Sequence, residues 1–168
     1  MKLYPKTAAI VALLLIAALS IVLTTRLLIP HTAPLAIVTE HDGLLEVRTQ
    51  VVDNTNRLRV ESGLRPLTMA WRLNRGSQEH SDWMARTHNF VHSDDLRFQM
   101  NRAYDGTWSY AGENIGVFGG ALSELLTSLR QSPDHRENML KPEYRRIGVG
   151  ATWDSEGDRM WLTVWFEG

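Results

Sequence analysis

The feature that most constrains this chain is a stretch of sequence without charge. Between Lys6 and Arg26 lie 19 residues, TAAIVALLLIAALSIVLTT, built almost wholly from Ala, Val, Ile and Leu. As a helix rising 1.5 Å per residue it spans roughly 28 Å, close to a bilayer's hydrocarbon thickness. A run this apolar needs either a large protein core or lipid around it, and here lipid is the expected solvent. The reading is one transmembrane signal-anchor over residues 7–29, with a cytoplasmic N-terminus at residues 1–6. Lys2 and Lys6 precede the run, which favours export of everything after it. The run exceeds the core of a cleavable signal, and Arg26 stands where cleavage would need small residues. A retained anchor is therefore expected, with secretion after cleavage as the alternative. The expected location is the cell membrane, single-pass, with the C-terminal domain extracytoplasmic.

Beyond the anchor the chain changes character. Residues 30–43, PHTAPLAIVTEHDG, read as a linker broken by Pro30, Pro34 and Gly43. Residues 1–30 carry three bases and no acid, which leaves 15 basic and 19 acidic side chains afterwards, a net charge of about −4. That balance lacks the clustered Lys and Arg that phosphate backbones require, so nucleic acid is not an expected partner. A chain of 168 residues with 43% hydrophobic content suits a single globular domain, placed at residues 44–168. Any chemistry must be built from His, carboxylate, hydroxyl and backbone groups, because the absence of cysteine excludes disulfides, thiolate zinc sites and a cysteine nucleophile.

Periodicity sketches the domain. Leu44, Val47, Val51, Thr55 and Leu58 recur at helical spacing, widened by Leu45 and Val52, with Asp42 as the expected N-cap and Ser62-Gly63 as the stop. A second helix is expected over about 70–88 and a third over 121–130, on Leu122, Leu125, Leu126 and Leu129. Strands are expected over Thr107–Val117, over Ile147, Val149, Ala151 and Trp153, and over Met160–Phe166, the last two joined by a turn at Asp154–Asp158. Helices first and a hairpin last indicate the α+β class.

Few residues offer chemistry. His88 and His92 have the i,i+4 spacing of a zinc-binding helix face, but Asn89 stands where a zinc protease carries glutamate. His88 ending the helix and His92 lying in the following loop is the favoured reading. His80, on an apolar face, reads as a core histidine. Ser132, Asp134 and His135 lie within four residues but lack a nucleophile elbow, and a helix start capped by Ser132 with Pro133 behind it fits better. Glu113 and Asn114 sit among small and apolar residues, where they need hydrogen bonds or a metal.

Taken in order, NTNRLRVESGLRPLTMAWRLNRGSQEHSDWMARTHNFVHSD, AGENIGV, SPDHRENMLKPEYRRIGVGATW and MWLTVWF strongly resemble the CAP superfamily. This is the SCP-domain family of cysteine-rich secretory, antigen 5 and pathogenesis-related proteins, and the cysteine-free form resembles its bacterial branch. The resemblance covers about residues 45–168. It implies a three-layer α-β-α sandwich with a central antiparallel sheet, here preceded by the N-terminal transmembrane helix. It also implies a cleft in which His92, Glu113 and His135 are the matched residues, sometimes holding zinc or another divalent metal. Without metal, the same groups would make a coupled His–Glu acid–base pair or a polar network that fixes the fold. The family's second glutamate falls at Ser132 and the tryptophan before it at Leu129, so the ligand set is at best a triad.

Two functions follow from the resemblance. The first is an envelope binding module for a lipid, glycan or protein ligand, tethered to the membrane, with Trp108, Tyr110 and Phe118 as cleft walls, the His/Glu set as polar contacts, and Asn114 and Ser132 also in the cleft. The second is a metal-dependent hydrolase acting on peptide or cell-wall substrate through water activated by His92, Glu113 and His135.

Overall fold

The structure, a computed structural model, describes residues 40–103, 108–154 and 159–168. They all belong to one unit, Val38–Gly168. The expected membrane segment, most of the linker and the turn residues 155–158 lie outside the described residues. No helix among the described residues is long and apolar enough to cross a membrane.

Among the described residues nine elements follow one another: α1 (Glu40–Glu61), β1 (Thr68–Met69), α2 (Trp71–Thr87), α3 (Leu96–Ala103), β2 (Ala111–Phe118), α4 (Leu122–Gln131), α5 (Pro133–Met139), β3 (Arg146–Asp154) and β4 (Arg159–Glu167). Helix α1 begins ahead of Asp42, so Asp42 lies within its first turn rather than at its cap. The strands form one sheet in the order β1-β3-β4-β2. The β3–β4 hairpin and the β2–β4 pair are antiparallel, as expected. The sheet is nevertheless mixed, because β1 adds in parallel to β3 through Thr68↔Arg146 and Met69↔Ile147. Two residues ahead of a helix carry no period-2 signal, so only the fold brings this strand to light.

Alternation along the strands creates two cores. On one face Ile147, Val149, Leu162, Val164 and Phe166 meet Val51, Val52 and Leu58 of α1, Leu125, Leu126 and Leu129 of α4, and Met139 of α5. On the other face Trp165 packs with Leu73 of α2 and Met100 of α3, while Trp161 and Ile115 pack with Met84 and Ala85 of α2. This is the expected α-β-α layering. Leu45, expected in the α1 stripe, is exposed, and buried Arg48 and Arg59 occupy that face instead. Arg59 gives its guanidinium hydrogens to the carbonyls of Arg65, Met139, Lys141 and Tyr144, tying α1 to the chain around α5. Burial lowers the pKa of both arginines.

Side chains close both sheet edges, which would otherwise offer unpaired backbone groups. Beyond short β1, Asn74 accepts from Val149 N–H, Gln78 bonds both backbone groups of Ala151, and Arg48 donates to the Val149 carbonyl. At the β2 edge Asn138 donates to the Glu113 carbonyl. Helix α2 reaches β3 only because Gly148 and Gly150 form its floor. A Cβ at Gly148 would run into the Leu73 backbone, and one at Gly150 into the backbone of Ser77 and Gln78. Gly150→Ala should therefore destabilise the domain by at least about 1–3 kcal/mol, the usual cost of overpacking. The check is urea denaturation, with Gly43→Ala, where an added Cβ meets nothing within 4 Å, as the comparison free of overpacking.

Candidate functional site

Glu113 and Asn114 are neighbours on β2, and a strand sends successive side chains to opposite faces. Glu113 points towards α2 and α3. Its cross-strand partner is Trp165, whose indole Nε1–H donates to Glu113 Oε2 at 2.8 Å. The loop between α2 and α3 supplies the other donors. His92 Nδ1 is 2.8 Å from Oε1, the Ser93 backbone N–H donates to Oε1 at 2.8 Å, and the Ser93 hydroxyl donates to Oε2. Two donors on each oxygen use the acceptor positions a carboxylate has. Glu113 is buried, whereas the His92 side chain is 63% exposed.

The loop itself is a strap held at both ends by residues in the left-handed region, His88 (φ 52°) and Asp95 (φ 46°). His88 is the C-cap of α2, as the loop reading expected, and its Nδ1 lies 3.1 Å from Asp154 Oδ2. Asp95 accepts the Phe98 N–H through Oδ1 at the start of α3. Between these ends the Val91 carbonyl accepts from His80 Nε2 at 3.0 Å. His80 is thus not a core residue: it lies beside the strap, with Nε2 4.0 Å from Glu113 Oε2.

Strap, α2 and α3 enclose a cleft of about 370 Å³. His80, Trp83, His92, Ser93 and Trp165 line it, together with charged residues from both helices. The His80 and Trp83 rings lie nearly parallel, 10° apart with centroids at 5.7 Å. The expected aromatic walls sit elsewhere. Trp108 packs against the Leu73–Met100–Trp165 cluster beneath Arg97, Tyr110 is exposed under Lys141, and Phe118 joins the large core.

Asn114 points to the opposite face, where its amide donates to the His135 carbonyl and its oxygen accepts from Asn138. His135 is on α5, with Nδ1 2.8 Å from the Ser132 hydroxyl. Ser132 is the N-cap of α5 with Pro133 behind it, as expected, but its side chain turns to His135 instead of capping the helix. Burial, then the nearby His92, holds His135 below the ordinary histidine value, partly opposed by Asp134 and by a hydrogen bond to the Ile115 backbone.

Of the implied triad, His92 and Glu113 hydrogen-bond directly, while His135 bonds Ser132 through Nδ1 and lies near enough to His92 for its pKa to be lowered by it. A zinc ion needs lone pairs aimed at it. The Glu113 oxygens already accept four hydrogen bonds, so Glu113 itself does not fit as a metal ligand. Among the described residues no group of three His, Asp or Glu is placed to hold one. His80, Trp83, Ser93 and Trp165 are the site residues that sequence reasoning missed. The i,i+3 spacing of His80 and Trp83 was their one local signal.

The chain belongs to the CAP, or cysteine-rich secretory protein, family, whose model matches residues 52–166. It is 31% identical over 104 residues to the uncharacterized protein YkwD of Bacillus subtilis, covering 60% of this chain and 40% of that protein. An extracellular SCP-domain protein of Bacillus anthracis is similar in fold, with a TM-score of 0.67 and 24% identity over 81% of this chain and 45% of that one. An outer surface protein of Borrelia burgdorferi is similar at a TM-score of 0.65 and 18% identity, over 73% of this chain and 92% of that one. The chain thus spans under half the length of the two Bacillus proteins.

Glu113→Gln places an amide where four donors converge and leaves at least one buried N–H or O–H without an acceptor. It should cost about 1–3 kcal/mol and raise amide hydrogen exchange across residues 89–95. At His135 the unfolded chain binds a proton more readily than the folded one. Stability from this residue is complete above the ordinary value of 6.5, falls as pH drops towards the folded value, and levels off below it. An NMR titration should place the His135 midpoint below 6.5, and His135→Gln should remove this component of the acid destabilisation.

Proposed function

We propose that this chain is a membrane-tethered, extracytoplasmic binding module of the cell envelope, and that its cleft binds a ligand without cleaving it. The carrying observation is the four-donor shell of Glu113. A carboxylate so engaged acts as the peg that holds the strap and the cleft wall. Water activation by His92, Glu113 and His135 together would need a lone pair of Glu113 facing the water, and its four hydrogen bonds leave none. The extracellular and outer-surface descriptions of two relatives support an exported domain, and the apolar run Thr7–Thr25 supports the tether.

Trp83 and Trp165 make the cleft self-reporting. Titrating the full chain in detergent with separated lipid, glycan and peptide fractions of envelope should shift tryptophan emission saturably with one fraction. Trp83→Phe should reduce the signal. Zinc-dependent hydrolysis of a peptide or cell-wall substrate, abolished by His92→Ala in a folded protein, would overturn this reading.

A further inference from the structure

We propose that the cleft takes a neutral glycan, a short run of hexose or N-acetylhexosamine units; this rests on reading the cleft as a binding site. Three observations bear on the chemistry of the occupant. The first is the pair of nearly parallel rings of His80 and Trp83 in the lining. Flat aromatic surfaces suit the C–H face of a pyranose ring, which is itself flat and weakly polar.

The second is the polar complement around those rings. Glu79 and Asp94 line the cleft with Arg86 and Arg102, two carboxylates against two guanidiniums. Equal opposite charges give an anion or a cation no net attraction, whereas hydroxyl and acetamido groups are both donors and acceptors and match either sign.

The third concerns peptides. An extended peptide most readily joins a sheet as an added strand. Here Asn74, Gln78 and Arg48 occupy the β3 edge, Asn138 occupies the β2 edge, and the cleft is walled by helices and a loop. Its volume of about 370 Å³ lies in the range of small-molecule sites and suits a short oligosaccharide segment rather than a folded partner.

The test uses the full chain in detergent micelles with three neutral probes, triacetylchitotriose, cellotriose and maltotriose, and with palmitate and a neutral tripeptide as alternatives. Calorimetry and tryptophan emission report binding. The expected result is saturable binding of at least one trisaccharide, weakened on the order of ten-fold by Trp83→Ala and by Glu79→Gln and largely kept by Trp83→Phe. Glu79 is exposed, so its variant should keep the wild-type circular dichroism and separates lost contacts from lost fold. Absence of trisaccharide binding, or binding indifferent to both variants, overturns the glycan inference. If palmitate or the tripeptide then binds in a Trp83-dependent way, the binding-module reading survives. If neither binds and every envelope fraction is silent, both fall.

Discussion

A carboxylate leaves water only when its oxygens find donors elsewhere, and in this chain that requirement falls on Glu113. Its four donors come from three residues: His92, Ser93 by backbone and side chain, and Trp165. Each has a reason to be there. Trp165 is directly opposite on the neighbouring strand, and the strap residues arrive because the chain must cross from α2 to α3 over the same face. The carboxylate thus joins the sheet to the strap, and the strap to the cleft that it walls.

The same logic governs the rest of the domain. A four-stranded sheet has two edges, and neither is left as bare backbone along the stretches that side-chain amides reach. Asn74 and Gln78 serve one edge, while Asn138 serves the other and also accepts from Tyr144. Small residues make these approaches feasible. Gly148 and Gly150 let α2 lie on β3, and Gly112 leaves room for the Tyr144 hydroxyl and Asn138. A disulfide-free domain of this size is held by such close contacts and by apolar packing on both faces.

Much of this was legible before the fold. The stripes of α1, α2 and α4 and the β3–β4 hairpin follow from periodicity, because one buried face leaves a regular apolar mark. Parallel β1 left none, being two residues long. His80 was misread because an apolar helix face can pack on a core or border a cleft, and only the strap's position decides between them. Trp108 and Tyr110 were plausible walls by composition alone. Trp83 and Trp165 took that role because of where α2 and β4 lie.

The sequence by itself determined that the chain joins an apolar, bilayer-length segment to an acidic, cysteine-free α+β domain, and that His92, Glu113 and His135 were the groups worth following. Those conclusions rest on hydrophobic period, charge and residue chemistry, which are local. Only the tertiary structure decided what the three do. Strand alternation sends Glu113 and Asn114 to opposite faces, the strap carries His92 to Glu113, and α5 pairs His135 with Ser132. Which polar groups meet is a non-local property, fixed by packing two helical layers on one sheet.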